Sequence, residues 1–547
     1  MKKKIYVVFG LLMVLLGAAC VSIVRTTRQV EYVAAAGNQS LYRLDVWQGR
    51  GTIYDCNLLP LVGGENEYVA AVAPTIEAIG ALEVATGGAY REELALALEN
   101  GKPFELTLEE PVDDPRIDVF EVPQRYQEDQ LAPHIIGYLD SLGNGASGVE
   151  LAMNDVLSQY EGEISVTYRV DALGRALAGE ERQVTNTLGE STGGVALTLD
   201  REIQSLVQEA AQGLEKGAVV VTQVPGCEIR AVASVPDFSP LEIGEAMEEE
   251  DSPLLNRAFS AYAPGSVFKL VTAAVLLEEG LGDTTFTCVG SALLEAGQGD
   301  LTFQCQGSIN GGGLQFHCIN QTAHGELDLE GALEKSCNCY FINAARILGG
   351  QTVLTMGYNL GFGSAQEFGR GLWTSSGVLP TLEDLNNARA LANFSFGQGE
   401  LTVTPLQLCA MMNTIVSGGT YTSPKLILGL VDEGKELTNL TSSADRKVQV
   451  MGVKTANTLR EMLTNAAQEG TGKAGAPEGR VSGIKTGTAQ TGVMEGEEEL
   501  LHFWYCGFVS GETGPKYCIT VLAESTPDDQ GAAARVFRQV AEGLPLS

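Results

Sequence analysis

The chain has 547 residues, of which 44 % are hydrophobic and 7 % aromatic, and its formal net charge is −34. This length predicts two or three folded units with large apolar cores. The negative charge excludes nucleic-acid binding through a basic face, because such a surface repels polyanions.

The N-terminus predicts a membrane anchor. Three lysines at positions 2–4 precede the uncharged segment 5–24, which is long enough to span a bilayer as a helix. The basic flank favours a cytoplasmic N-terminus, so a single-pass protein would place the rest of the chain on the extracytoplasmic side of the cell membrane. The alternatives are a cleaved signal peptide and a lipoprotein acylated at Cys20. The anchor is favoured because the apolar run continues past the best small-residue cleavage site, residues 17–19.

Residues 25–190 predict a unit of mixed short strands and helices. Alternating and helix-spaced apolar residues predict a strand, two helices and a second strand at 29–46, 70–80, 91–98 and 164–170 respectively. A cluster of Gly, Ser and Thr at 189–194 then marks a boundary.

Residues 191–547 predict an α/β domain with an antiparallel sheet. Asp200 is positioned to cap a helix that begins at Arg201. The strands expected in this domain are, in chain order, 195–200, 216–222, 228–234, 481–490, 504–509 and 516–523. A closing helix is expected over 530–544.

A Ser-x-x-Lys motif lies at the start of a predicted helix. Ser266 and Lys269 are three residues apart and therefore share one helix face. The positive end of the helix and burial disfavour a charged ammonium, so a neutral Lys269 could take the proton of Ser266 and make it a nucleophile. Taken alone, a serine and a lysine at this spacing are common on exposed helices.

Two further motifs follow in order. In Ser336-Cys337-Asn338, the Ser336 hydroxyl could relay a proton, and the Asn338 amide could bind a substrate amide bond. In Lys485-Thr486-Gly487-Thr488, on a predicted strand, the lysine supplies positive potential and the two threonines supply hydroxyls for a substrate carboxylate. The glycine lets a substrate backbone approach the strand. Backbone amides of Ser266 and Thr488 are candidates for an oxyanion hole. Each motif is weak alone, but the ordered trio predicts an acyl-transfer site.

These blocks resemble those of penicillin-binding protein transpeptidases. The resemblance rests on segments spread over most of residues 191–547, namely 256–269, His324-Gly325, 395–400, 403–405 and 482–489. The N-terminal half resembles class B members of that family at 50–55, 134–138, 148–150 and 171–175. Cys56 departs from the pattern, since the family usually has arginine there, and this puts a domain-packing ion pair and the details of the N-terminal region in doubt.

The resemblance implies a fold with three parts: a tip and transmembrane anchor over 1–24, an elongated non-catalytic pedestal over 25–190, and a penicillin-binding transpeptidase domain over 191–547. The last part would hold an antiparallel sheet flanked by helices. The glycosyltransferase of class A relatives is rejected, because Glu128-Asp129 and His134 only approximate its signature and the region is too short for that domain.

The function implied is a D,D-transpeptidase that cross-links peptidoglycan stem peptides. Ser266 would attack the penultimate D-Ala with help from Lys269, Ser336 would pass a proton to the departing D-Ala, and an amine would resolve the acyl-enzyme. Asn338, Lys485, Thr486, Gly487 and Thr488 would complete the site, which β-lactams would acylate. The resemblance implies no cofactor or metal, and other cell-wall synthesis proteins of the membrane as partners. The sequence leaves open a role in division, elongation and cell shape, or sporulation.

Two rival functions remain. A D,D-carboxypeptidase or β-lactamase would resolve the same intermediate with water. Between the second and third motifs, Glu383 and Glu461 each have an asparagine four residues on, but neither has the preceding leucine of a Glu-x-x-Leu-Asn block. A penicillin-binding sensor or scaffold would bind without turnover, yet no further transmembrane span or signalling domain is visible.

Five of the 11 cysteines cluster towards the second motif: Cys288, Cys305, Cys318, Cys337 and Cys339. One interpretation is that they are small buried apolar residues. Another is disulfide formation: a Cys288–Cys318 bond is conceivable, and a bond to Cys337 could displace Ser336 and Asn338 and so put the site under redox control. A zinc site is not expected, because no Cys-x-x-Cys spacing occurs and only four histidines are present.

Overall fold

The computed structural model of the protein describes residues 2–28, 40–160, 162–177, 179–188, 193–288, 291–294, 314–318, 323–369, 371–440, 445–526 and 530–546. The described helices are α1 Lys2–Arg28, α2 Ile76–Ala85, α3 Arg91–Asn100, α4 Pro133–Ile136, α5 Gly148–Ala152, α6 Asn154–Leu157, α7 Arg201–Ala211, α8 Ile243–Glu248, α9 Lys269–Glu278, α10 Leu329–Glu334, α11 Asn338–Leu348, α12 Gly350–Asn359, α13 Ala388–Ser395, α14 Pro405–Val416, α15 Val453–Glu469 and α16 Gln530–Gly543. Short 3₁₀ helices span Gly265–Phe268, Asp384–Asn386 and Lys473–Gly475.

The described strands are β1 Leu41–Gln48, β2 Thr52–Tyr54, β3 Asn66–Val72, β4 Phe104–Leu108, β5 Ile117–Pro123, β6 Glu163–Arg169, β7 Gln183–Asn186, β8 Gly194–Leu197, β9 Gly217–Gln223, β10 Ile229–Val235, β11 Phe286–Cys288, β12 Ser291–Leu294, β13 Leu314–His317, β14 Gly325–Leu327, β15 Glu367–Gly369, β16 Leu372–Trp373, β17 Thr420–Thr422, β18 Ile427–Val431, β19 Leu437–Asn439, β20 Lys447–Gln449, β21 Ser482–Glu495, β22 Glu498–Gly511 and β23 Gly514–Thr526.

The chain forms two compact units. The first comprises Met1–Arg50, Gly63–Arg125 and Gln159–Thr192, and the second comprises Gly51–Val62, Tyr126–Ser158 and Gly193–Ser547. Two segments of the predicted pedestal therefore group with the C-terminal part of the chain. The functional boundaries at residues 24 and 190 stay a prediction.

The second unit is built on a five-stranded sheet in the order β10-β9-β23-β22-β21, with every neighbouring pair antiparallel. Both faces are covered, which explains why β9 is apolar at nearly every position. Val219 and Val221 pack in the core with α7 and α16. Thr222, on the opposite face, contacts Cys409 of the fully buried helix α14 at 3.3 Å. The predicted antiparallel sheet flanked by helices is confirmed.

Helix α7 shows how local sequence sets an element of this domain. The Asp200 carboxylate accepts hydrogen bonds from the backbone amides of Glu202 and Ile203 at 3.1 and 3.2 Å, so the predicted cap is confirmed. Ile203 and Val207 then recur on the buried face of the helix.

The first unit has two three-stranded sheets, β1-β6-β7 and β4-β3-β5, with α2 and α3 beside the second. The helix predicted over 70–80 is wrong in its first part, because residues up to Val72 belong to the central strand β3 and α2 starts only after the Thr75 cap. The strand predicted over 29–46 is seen from Leu41, and residues 29–39 lie outside the described residues.

Helix α1 contains the predicted membrane segment. Its stretch Tyr6–Arg25 is long and apolar enough to cross a bilayer, and its apolar side chains are exposed. This helix is compatible with a single-pass membrane anchor.

Candidate active site

Ser266 lies in the 3₁₀ turn Gly265–Phe268 that leads directly into α9, at the predicted helix start. Backbone hydrogen bonds hold this turn against residues 397–403. The Gly265 amide donates to the Gly397 carbonyl at 3.0 Å, and Tyr262 and Val403 exchange two bonds at 2.8 and 2.9 Å. The start of the turn that presents the serine is therefore held in place, and Ser266 is only 8 % exposed.

The Lys269 amine is fully buried beside the serine. Its Nζ lies 2.9 Å from Ser266 Oγ, 2.7 Å from the Ser336 carbonyl and 2.6 Å from Asn338 Oδ1. Burial lowers the pKa of Lys269 to about 8. The amine is thus partly neutral near physiological pH, as expected for a general base.

The Ser336 hydroxyl links two lysines. It lies 3.2 Å from Lys269 Nζ and 3.0 Å from Lys485 Nζ, and the latter also donates to the Thr486 carbonyl at 2.9 Å. Lys485 is fully buried, and burial followed by the charge of Lys269 lowers its pKa. Ser336 itself has a φ of +51°, a left-handed conformation that costs free energy for a serine and marks a constrained position.

The Lys-Thr-Gly-Thr motif lies on β21, the edge strand of the five-stranded sheet. A Cβ atom at Gly487 would lie 2.8 Å from the Pro264 carbonyl and 3.0 Å from Val267 Cγ2. Glycine is required here because this strand passes close to the turn that carries the serine. A peptide substrate could add to such an edge through main-chain hydrogen bonds.

An open cleft of about 400 Å³ leads to these residues. The cleft is lined by Ser266, Lys335, Ser336, Thr471, Ala474, Thr486, Thr488, Tyr505, Gly531 and Ala534. Thr471 was not anticipated, although the Thr486 hydroxyl donates to its hydroxyl at 2.8 Å. A Gly-Thr-Gly sequence at 470–472, directly after α15, is the signal that could have indicated it.

The arrangement can transfer a proton from a serine. The Ser336 carbonyl and Asn338 Oδ1 can only accept hydrogen bonds, so they take the two N–H groups of a neutral Lys269 and leave its lone pair for the Ser266 hydroxyl. Lys485 donates to Ser336 from the other side and can stabilise negative charge there.

The two Glu/Asn pairs that were considered as signals of a hydrolase do not line this cleft. Glu383 and Asn387 line a different cavity, and Asn387 caps α13. Asn465 donates to the Glu330 carboxylate. Among the described residues that line the cleft, none carries a carboxylate.

The cysteines near the second motif are buried thiols without disulfides among the described residues. Cys305 lies outside the described residues. Cys288 Sγ and Cys318 Sγ are 3.7 Å apart, so the pair named for a disulfide is adjacent but not bonded.

Comparison with known proteins identifies the family. A model of the penicillin-binding protein transpeptidase domain matches residues 217–295 and 289–542. Stage V sporulation protein D of Bacillus subtilis (strain 168) is 28 % identical over 380 residues, which cover 67 % of this chain and 54 % of that protein. The peptidoglycan D,D-transpeptidase PbpA of Mycolicibacterium smegmatis is 28 % identical over 427 residues, covering 74 % of this chain and 79 % of that protein.

A crystal structure of penicillin-binding protein 3 from Mycobacterium tuberculosis superposes with a TM-score of 0.64 at 23 % identity, covering 91 % of this chain and 96 % of that chain. This likeness establishes the fold. The chain spans about half the length of the B. subtilis relative. Because the family model matches more than half of the chain, the protein belongs to the penicillin-binding protein transpeptidase family, as the resemblance to class B members predicted.

Proposed function

We propose that the protein is a peptidoglycan D,D-transpeptidase that works through an acyl-enzyme on Ser266. The observation that carries the proposal is the 2.9 Å contact between the buried amine of Lys269 and Ser266 Oγ, since Ser266 lines the cleft. Family membership supports the choice of reaction.

In the first step Lys269 accepts the Ser266 proton while the serine oxygen attacks the carbonyl of the penultimate D-Ala. The amides of Ser266 and Thr488 would bind the oxyanion. The C–N bond to the terminal D-Ala breaks, and its nitrogen takes a proton through Ser336, which both lysines contact. In the second step the amine of a neighbouring stem peptide attacks the ester, its proton returns through the same groups, and the Ser266 hydroxyl is restored.

In this proposal, β21 and Asn338 position the substrate. Thr486 and Thr488 line the cleft on the edge strand, where their hydroxyls and the potential of Lys485 would bind the substrate carboxylate. Gly487 allows β21 to pass close to the turn that carries Ser266, which holds the edge strand beside the nucleophile. Among the described cleft residues no carboxylate is present to activate water, which supports transfer to an amine over hydrolysis.

The remaining assignments follow the same proposal. Helix α1 would anchor the protein in the cell membrane as a single pass, with the catalytic unit on the extracytoplasmic side where stem peptides occur. Residues 25–190 would serve as a non-catalytic pedestal. Stem peptides and β-lactams would bind at the cleft, and other cell-wall synthesis proteins of the membrane would be partners.

Labelling of the purified full chain with fluorescent penicillin tests the nucleophile. We expect a covalent band for the wild type and for Ser239→Ala, a serine outside the cleft, and no band for Ser266→Ala. A labelled Ser266→Ala protein would refute the assignment. Incubating the acyl-enzyme formed from a D-Ala-D-Ala peptide with an acceptor amine then separates transfer from hydrolysis, since a carboxypeptidase would release only the shortened acid.

A further inference from the structure

Four side chains of types that can bind a metal ion lie close together around Cys337 of the second motif. They form a thiol–imidazole cluster, whose donor atoms all lie within 4.8 Å of one another: Cys288, Cys318, His324 and Cys337. The three thiols are buried and the imidazole is half-buried. None of these side chains lines the cleft, and none has a role in the proposed reaction.

Three of the six donor separations match the edges of a tetrahedron around zinc, and all six are within 4.8 Å. With Zn–S bonds of ~2.3 Å and a Zn–N bond of ~2.1 Å, the edges are ~3.8 Å between two sulfurs and ~3.6 Å between sulfur and nitrogen. Cys318 Sγ lies 3.7 Å from both Cys288 Sγ and Cys337 Sγ, and Cys288 Sγ lies 3.5 Å from His324 Nδ1. A disulfide would require ~2.05 Å between two sulfurs and would leave the other donors unused.

The fold brings these donors together from four separate segments. Cys288 ends β11 and pairs with Gly325 of β14, which places it beside His324. Cys318 directly follows β13, and Cys337 is the N-cap residue of α11. The cluster therefore joins the ends of β11 and β13 and the start of β14 to the second motif.

We propose that the protein binds one structural zinc ion through this thiol–imidazole cluster. Three thiolates and one imidazole form a closed four-coordinate set, which is the donor set of structural zinc sites and leaves no open position for substrate or water. The softness of thiolate disfavours magnesium and calcium.

The ion would act by fixing the second motif. Cys337 lies between Ser336 and Asn338, and both neighbours contact the Lys269 amine. A metal bond to Cys337 would hold this segment, including the left-handed Ser336, in the geometry that the site needs. The four residues of the thiol–imidazole cluster are positioning residues, because none of them lines the cleft.

Metal analysis of the untagged full chain in detergent tests the proposal independently of its activity. After loading with zinc and desalting, we expect about one zinc per chain in the wild type and less than ~0.1 in Cys318→Ser. Cobalt loading of the wild type should give the visible bands of a tetrahedral site with thiolate-to-cobalt charge transfer. The matched control is Cys339→Ser, since Cys339 Sγ is also 3.7 Å from Cys318 Sγ yet lies outside the cluster, and it should keep its zinc.

Three results would overturn the proposal: a wild type that holds no zinc after loading, a disulfide of Cys318 found by mass spectrometry in the protein as purified, or loss of zinc from Cys339→Ser alone. If Cys318→Ser fails to fold, the melting temperature of the wild type still tests the zinc site. A chelator should lower its melting temperature and zinc should restore it, because a ligand of the native state stabilises that state. A wild-type melting temperature that neither the chelator nor zinc changes would refute the zinc site. Zinc loss should also slow penicillin acylation by at least ~10-fold.

Discussion

Gly397 contacts the backbone of the turn that carries Ser266, so Gly397→Ala should slow acylation although no catalytic group is changed. Gly397 has a φ of +86°, and a Cβ atom there would lie 1.9 Å from the Gly265 carbonyl oxygen and 3.0 Å from its Cα. Both atoms are backbone, so no side chain can rotate away. Relief to an ordinary contact requires a shift of roughly 1.5 Å in one of the two segments.

The shift is transmitted to the serine because Gly265 precedes Ser266 and donates to Gly397. A displacement of ~1 Å at a reacting atom costs about 100-fold in rate. The left-handed φ adds about 1–2 kcal/mol of destabilisation for alanine. We therefore expect acylation by penicillin to slow by about two orders of magnitude.

Gly280→Ala is the matched control. Gly280 has a φ of +72° but no atom within 4 Å of the added Cβ, so this variant carries the backbone penalty without the clash. Stopped-flow acylation and thermal unfolding should show both variants destabilised and only Gly397→Ala slow. Equal acylation rates for the two variants would refute the argument that Gly397 positions Ser266.

Three further predictions concern the buried charges. Acylation should accelerate as pH rises from 7 to 9, because burial lowers the pKa of Lys269 to about 8 and only the neutral amine accepts a proton; a rate independent of pH would contradict this. Lys485→Met should slow acylation by roughly 100-fold at an unchanged melting temperature, because the Ser336 hydroxyl loses its donor at 3.0 Å; a wild-type rate would exclude that role. Arg257→Ala should lower the free energy of unfolding by about 3–5 kcal/mol in denaturant titrations, because it leaves Glu524 without its ion-pair partner. Adding Glu524→Gln to this variant should recover part of the lost stability.

Local signals predicted the second compact unit well, and the reasons are visible in particular elements. The strands around the Pro-Gly turn at 225–226 and the helix capped by Asp200 are set by neighbouring residues. The failure at 70–80 has a physical cause. Strand β3 packs Val69 and Ala71 into one core and Ala70 and Val72 into another, so its sequence is continuously apolar and shows no period of two.

The thiol–imidazole cluster escaped prediction for a different reason. Spacing rules for zinc sites detect ligands that are close in sequence. Cys288 and Cys337 are far apart in sequence. They come close in space because β11 pairs with β14 and because Cys337 lies at the start of α11. Thr471 is similar, since it reaches the cleft from the residues after α15. The three motifs were found because each is contiguous, although their mutual distances are a property of the fold.

The two lysines suggest how substrate binding could prepare the base. Both amines contact the Ser336 hydroxyl, at 3.2 and 3.0 Å, and both are fully buried. Two ammonium groups that share one neighbour repel each other, so the pair holds fewer protons near neutral pH than two exposed lysines would. A substrate carboxylate at Thr486 and Thr488 would favour the charge on Lys485, because the Lys485 amine contacts Ser336, which lines the same cleft. The Lys269 amine would then be left neutral, in the form that can deprotonate the serine. Binding of the correct substrate would thus itself generate the base, whereas a ligand without the carboxylate would not.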